Sequence, residues 1–360
     1  MVKKRSHYSH LDCPARADRI EAFEGLRALS FLGIFVFHTL AIPLTWAGVD
    51  QFFVLSGFVI TRNLLWMRGA APAGQALAVF YQHRLLRIVP PYLLALLLVA
   101  LLQPFPAAEL PWYLLFASNI RDVLHPPIKG QLLAFWSIAV EQQFYLLWPW
   151  LVLYLPARRL PAAILAVILV AVASRWALTP VSGDAVYRLT LCRGDLLGLG
   201  ALLAWVERRD ATWFQRNLRL SRFVLAGSAG LFAWLAWRVP EFALERNSVL
   251  YNTLGYALEA TAFASLLAIA RGDGVSAWHR LLVAAPLRYL GRISYVAYLV
   301  HILVRDVVHR WQLPGVVAVP LTLAMTIAVA AFSWQALEQP LQRLRLRLPG
   351  EGRSPGPQNL

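Results

Sequence analysis

At 360 residues, the chain is 59% hydrophobic and only 15% charged, too few charges for a soluble globule, in which about a quarter of residues carry one. Its formal net charge of +15 would suit nucleic acid if the basic residues formed a face. They sit instead between long apolar runs, which excludes nucleic acid as a partner and makes membrane lipid the expected surroundings.

Runs long enough to cross a hydrocarbon core of about 30 Å cover 28–46, 50–66, 86–103, 133–155, 160–178, 190–206, 223–239, 249–270, 289–309 and 314–336. They are continuous rather than alternating, which predicts helices, because in lipid each segment must satisfy its own backbone. The expected fold is an all-α polytopic membrane protein of about ten transmembrane helices. With the N-terminus inside, 25 of the 34 Lys and Arg residues fall on the inner side, so the positive-inside rule puts both termini in the cytoplasm. Residues 1–22 read as a cytoplasmic N-terminal segment, 23–348 as the membrane domain, and 349–360 as a disordered tail rich in Gly, Ser and Pro. The basic N-terminal segment lacks the short apolar region of a signal peptide, so the first span is expected to act as its own insertion signal. Pro104, Pro106, Pro111, Pro126 and Pro127 mark a long outer stretch between spans 3 and 4, with Trp112 and Tyr113 expected along the interface. Cys13 falls inside and Cys192 near the outer face, so no disulfide is expected.

Ionisable groups within a span cost at least about 2.5–3.5 kcal/mol each on insertion scales, so each marks a candidate site. His38, Glu141, Glu259 and His301 all fall roughly 12–18 Å deep at ~1.5 Å per residue, near the midplane. Such a layer suits acid–base chemistry, a proton relay, or simple hydrogen bonding between helices. No His-x-x-x-His or Glu-x-x-His spacing occurs on one helix, so no metal is expected. Arg27 lies eleven positions before His38, which puts both on one helix face about 16 Å apart. A ligand with an anionic head at Arg27 and a reactive end at His38 would fit that spacing, although Arg27 also suits a snorkelling anchor. Arg84 and Arg87, three apart beside His83, form a candidate phosphate clamp at the cytoplasmic start of span 3, with membrane anchoring as the alternative.

Four stretches in order, FEGLRALSFLGIFVFH (23–38), GVDQFFVLSGFVIT (48–61), HRLLRIVPPYLL (83–94) and FWSIAVEQQFYLLWP (135–149), resemble the acyltransferase-3 family of integral membrane O-acyltransferases. Weaker echoes are Arg193-Gly194-Asp195-Leu196, RISYVAYLVH (292–301) and Glu338-Gln339-Pro340. The resemblance implies a ten-helix protein of the bacterial inner membrane that passes an acyl group, acetyl above all, from acyl-CoA to a carbohydrate hydroxyl. Such carbohydrates include surface polysaccharide and lipopolysaccharide. It carries the family's Arg-x10-His onto Arg27 and His38, and its Arg-x-x-Arg onto Arg84 and Arg87. The span-4 motif usually has two consecutive acids, whereas Glu141 is followed here by Gln142. Some relatives carry an extra-membrane hydrolase-like domain; none is expected here, and acceptor delivery is expected from the membrane domain or a separate periplasmic partner.

The mechanism this implies places acyl-CoA phosphates at Arg84, Arg87 and Arg27. His38 acts as general base or acyl carrier, and Glu141 orients His38 or holds the acceptor. Asp50, at the outer start of span 2, is a candidate for sugar hydroxyls, and Arg193, Asp195 and His301 are assigned to substrate binding. Ser56 reads first as a small packing residue and only second as a nucleophile. The rival readings are a proton-coupled transporter or flippase using the same His and Glu layer, and a non-catalytic scaffold.

Overall fold

The computed structural model describes residues 21–102, 107–125, 131–239, 242 and 248–345. Cys13, the prolines at 104, 106, 126 and 127, and the tail from Pro349 lie outside the described residues. All ten expected runs contain a long helix. These are α1 (Glu21–Leu40), α2 (Gly48–Ala70), α3 (Ala73–Leu102), α4 (Phe135–Tyr154) and α5 (Leu160–Leu178). The rest are α6 (Thr190–Arg209), α7 (Leu218–Arg238), α8 (Tyr256–Gly272), α9 (Ala285–His309) and α10 (Gly315–Ser333).

Among the described residues, seven helical stretches are long and apolar enough to cross a membrane, and they contain α1, α3, α5, α6, α7, α8 and α10. The protein is a multi-pass integral membrane protein. The other three long helices carry more polar side chains: Asp50, Gln51 and Arg62 on α2, Glu141 to Gln143 on α4, and Arg292, His301 and Arg305 on α9. Their polarity is tolerated because they sit inside the bundle, where thirteen residues of α2, twelve of α4 and thirteen of α9 are buried. In the stretches containing α5, α7 and α10 only 17–22% of the apolar window is buried, as befits helices that face lipid.

The interior helices pack closely through small residues. A Cβ at Gly57 of α2 would run into the Leu197 carbonyl of α6, and one at Gly200 of α6 into the Val54 carbonyl of α2. These reciprocal contacts let the two backbones touch, which is how helices associate where lipid removes the hydrophobic drive. Helix α1 lies against α9 and turns into α2 within a few residues. Pro43 stops α1, and Ala41 and Leu44 adopt left-handed φ values of 53° and 67° to reverse the chain.

Two boundaries differ from expectation in a way that moves the site. Helix α1 is already formed at Glu21 rather than 28, so Arg27 lies inside it and not at its mouth. Helix α3 starts at Ala73 rather than 86, because Ala76, Leu77, Val79 and Phe80 bury one amphipathic face below the apolar window. Arg84 and Arg87 therefore stand well inside a continuous helix. Pro90 and Pro91 also lie within α3 and deny the carbonyls of Leu86 and Arg87 their usual helical donors. The Tyr295 hydroxyl of α9 donates to the neighbouring Ile88 carbonyl at 3.1 Å.

Between α3 and α4, short helices at Leu110–Leu114 and Ser118–Leu124 fold inward. Tyr113, expected along the interface, is fully buried, and its carbonyl accepts from the Tyr92 hydroxyl at 2.8 Å. Arg121 grips Glu109 with two bonds of 2.8 and 3.0 Å, and Arg188 bonds Asp122 at 3.0 Å.

Candidate active site

Five helices meet around a cavity of about 90 Å³. Helix α1 contributes Arg27, α2 Ser56, α3 Arg84 and Arg87, and α4 Ser137, Glu141 and Tyr145, while α9 contributes Ser294, Tyr295 and Tyr298. The pattern follows from helix geometry, since residues three, four, seven or eight apart share one face. Ser137, Glu141 and Tyr145 are spaced by four, Ser294 and Tyr298 by four, and Arg84 and Arg87 by three.

The side chains form a connected network. Tyr145 donates to the Ser56 hydroxyl at 3.1 Å, and Ser56 donates in turn to the Glu141 carboxylate. The guanidinium of Arg84 lies 5.6 Å from the centres of both the Phe80 and Tyr145 rings, and its Nε is buried without a hydrogen-bond partner among the described residues. Arg27 pairs with Glu24 one turn earlier at 3.5 Å. Ser137 and Tyr298 share a hydrogen bond of 2.6 Å across α4 and α9. Three guanidiniums thus converge on one space inside a lipid-embedded bundle. Positive charge gathered at this density within the bundle favours an anionic guest, and the fork of Arg matches phosphate oxygens.

His38 is not part of the cavity wall. Its Nδ1 lies 2.9 Å from Nε2 of His301 on α9, and His301 Nδ1 lies 2.6 Å from the Tyr298 carbonyl. Tyr298 is the lining residue that leads to this pair, with its ring 5.5 Å from that of His301. Arg27 and His38 share a helix face as their spacing predicts, with Phe31 between them and its ring centre 6.1 Å from that of His301. The Glu141 carboxylate, expected to orient His38, accepts from Ser56.

Asp50, Arg193 and Asp195 lie elsewhere, in a buried ionic cluster of α2, α5, α6 and α8, and none of them lines the cavity. Arg193 pairs with Asp50. Arg175, an inward-facing charge of α5 that the sequence reading passed over, bonds both oxygens of Asp195 at 2.8 and 2.6 Å and the carbonyls of Cys192 and Asn252 at 2.6 and 2.9 Å. Tyr251 donates to Glu259 at 2.6 Å, and Arg193 stacks 4.4 Å from the Tyr256 ring centre. Cys192 is buried as a free thiol.

Ser137, Tyr145, Tyr295 and Tyr298 were not singled out from the sequence, although all four sit in stretches quoted for the resemblance. The four-residue spacing of Ser137 and Tyr145 from Glu141, and the three-residue spacing of Tyr295 and Tyr298, were the available signal. Among the described residues no three His, Cys, Asp or Glu side chains converge as metal ligands.

A family model described as an acyltransferase domain matches residues 20–335. Among curated proteins, the chain is 26% identical over 354 residues to O-acetyltransferase OatA of Staphylococcus aureus, covering 90% of this chain and 57% of that one. It is 26% identical over 377 residues to peptidoglycan O-acetyltransferase OatA of Listeria monocytogenes, covering 95% of this chain and 58% of that one. The chain thus spans little more than half the length of these relatives. No solved structure matches it. With the ordered motifs on the helices that wall one cationic cavity, and a match spanning nearly the whole bundle, the chain belongs to the acyltransferase-3 family of integral membrane acyltransferases.

Proposed function

We propose that the protein is a membrane O-acetyltransferase that takes its acyl group from acyl-CoA on the cytoplasmic side and passes it to a carbohydrate hydroxyl. The observation that carries this reading is the convergence of Arg27, Arg84 and Arg87 on one cavity with Ser56 and Glu141. A space of about 90 Å³ takes the acyl end of a thioester rather than the whole coenzyme, so the phosphates lie at the mouth beside the guanidiniums. The thioester reaches toward Tyr298 and the His38–His301 pair behind it. His38 serves as general base on the acceptor hydroxyl, and Glu141, tied to Ser56 and Tyr145, shapes the acceptor side of the cavity. The name of the Listeria relative supports a glycan acceptor of the peptidoglycan type, delivered from the outer side by the membrane domain or a periplasmic partner. Asp50, Arg193 and Asp195 serve in this reading as the frame of the bundle rather than as substrate contacts.

The test uses the purified chain in liposomes with radiolabelled acetyl-CoA and a soluble glycan fragment. The expected result is thioester consumption with label appearing in an alkali-labile ester on the glycan. Solute movement across the bilayer with no thioester consumed would favour the proton-coupled transporter or flippase, with the layer of His38, His301, Glu141 and Glu259 as its relay.

A further inference from the structure

His301 is 1% exposed and held between the rings of Phe31, nearly perpendicular to it, and Tyr298. Its Nδ1 lies 2.6 Å from the Tyr298 carbonyl. A carbonyl oxygen only accepts, so Nδ1 carries the hydrogen. The neutral ring then presents Nε2 as a lone pair, and that atom lies 2.9 Å from Nδ1 of His38. The hydrogen between the rings therefore belongs to His38 Nδ1. In neutral His38 this puts the basic lone pair on Nε2.

The same helix also grips the His38 backbone. Arg305 donates to the His38 carbonyl at 3.0 Å and is itself held by Asp306 at 2.6 and 2.9 Å. Along the same contact, a Cβ at Gly291 would collide with the Glu24 carbonyl, so α1 and α9 meet backbone to backbone. The two rings are thus fixed relative to each other although they are 263 residues apart in the chain.

We infer that His301 is a positioning residue for the acyl transfer: it fixes His38 in the tautomer whose Nε2 is basic and holds the ring in place. The inference rests on the reading of His38 as general base. In that step Nε2 takes the proton of the acceptor hydroxyl while the hydroxyl oxygen bonds to the thioester carbon. The carbon–sulfur bond then breaks, its electron pair leaves with sulfur, and the Nε2 proton passes to the thiolate. While His38 is cationic its Nδ1–H bond to His301 is charge-assisted and therefore stronger, as when the partner of a catalytic histidine stabilises the imidazolium. His301 itself is unchanged at the end.

Two substitutions separate positioning from packing. His301→Phe fills the space and removes the acceptor, whereas His301→Gln offers an amide oxygen close to where Nε2 stood. The Phe variant should lose about 10²- to 10³-fold in kcat with both KM values within about twofold of wild type. The Gln variant should recover at least about tenfold of that loss. Nitrogen-15 NMR of histidine-labelled protein should show His38 with a bare Nε2 in the wild type and in the Gln variant, and a tautomer mixture in the Phe variant. Should the Phe variant fail to fold, the Gln variant and its spectrum carry the test. A Phe variant at wild-type kcat, Gln and Phe variants equally impaired, or a wild-type His38 with its hydrogen on Nε2 would each overturn the inference. His38→Gln, measured alongside, separates the two readings. Full activity there defeats the general-base role, whereas loss there with wild-type rates for His301→Phe defeats only the inference about His301.

Discussion

Two polar regions lie within one bundle and treat their charges differently. In the ionic cluster Arg175 spends its guanidinium on both oxygens of Asp195 and on two backbone carbonyls, and Arg193 pairs with Asp50 beneath the Tyr256 ring. In the cavity Arg84 is met by two aromatic faces and its Nε finds no hydrogen-bond partner among the described residues. Arg193 too leaves Nε and Nη1 without a hydrogen-bond partner among the described residues, but Asp50 is its counter-charge, and such pairs bind helices together. Arg84 has no carboxylate at ion-pair distance among the described residues, and in the proposed reading it is kept for an anion that enters the cavity. Sequence alone gives both sets the same standing, as ionisable residues in apolar runs, and only the partner found after folding tells them apart.

The difference predicts activity loss without unfolding on the cavity side and unfolding without a change in donor affinity in the cluster. The largest effect is expected at His38. His38→Gln keeps hydrogen bonding and similar bulk but cannot cycle a proton, and acetyl transfer should fall about 10²- to 10⁴-fold at normal expression and thermal stability. An active His38→Gln would place His38 among the packing residues and erase the distinction.

Next in size is the cluster itself. Asp50→Asn leaves Arg193 buried without its counter-charge, which should cost about 3–5 kcal/mol of stability, read as a lower unfolding midpoint in detergent. Glu259→Gln is the control. Glu259 accepts from the Tyr251 hydroxyl, and a Gln amide oxygen keeps an acceptor there, so its cost should stay under about 1 kcal/mol. Equal losses in the two variants would mean that the cluster does not depend on the Asp50–Arg193 charge pair.

The smallest effect lies outside the spans, at Glu109. Its bond to Arg121 holds the carboxyl below the ordinary value, so the pair stabilises the fold above the ordinary carboxylate pKa, and that stability is lost as pH falls through the lowered one. Glu109→Gln should cost no more than about 1 kcal/mol at neutral pH, and the gap from wild type should close in acid. A gap that persists at low pH would assign the residue a role other than its charge.

The bundle was legible because apolar runs of spanning length leave helix as the only choice, and the shared face of Arg27 and His38 followed from periodicity. Less legible were features set by tertiary contact. Arg84 and Arg87 looked like a helix start because the Pro90–Pro91 pair and the polar Gln82–Arg84 stretch interrupt the apolar pattern, yet one buried stripe carries α3 through from Ala73. The partner of His38 lies 263 residues away, and no spacing rule reaches that far. Asp50 resembled an exposed sugar contact from its place near a helix start, and its burial against Arg193 depends on the close α2–α6 approach through Gly57 and Gly200.

The central claim, that the cavity is the donor site, is tested most directly by equilibrium binding of coenzyme A to the purified protein. Arg84→Ala and Arg87→Ala should each weaken binding about 10- to 150-fold, the loss of one charge-assisted bond of roughly 1.5–3 kcal/mol, while Asp195→Asn molecules that remain folded bind as tightly as wild type. Unchanged coenzyme A affinity in a well-folded Arg84→Ala/Arg87→Ala double variant would contradict the account.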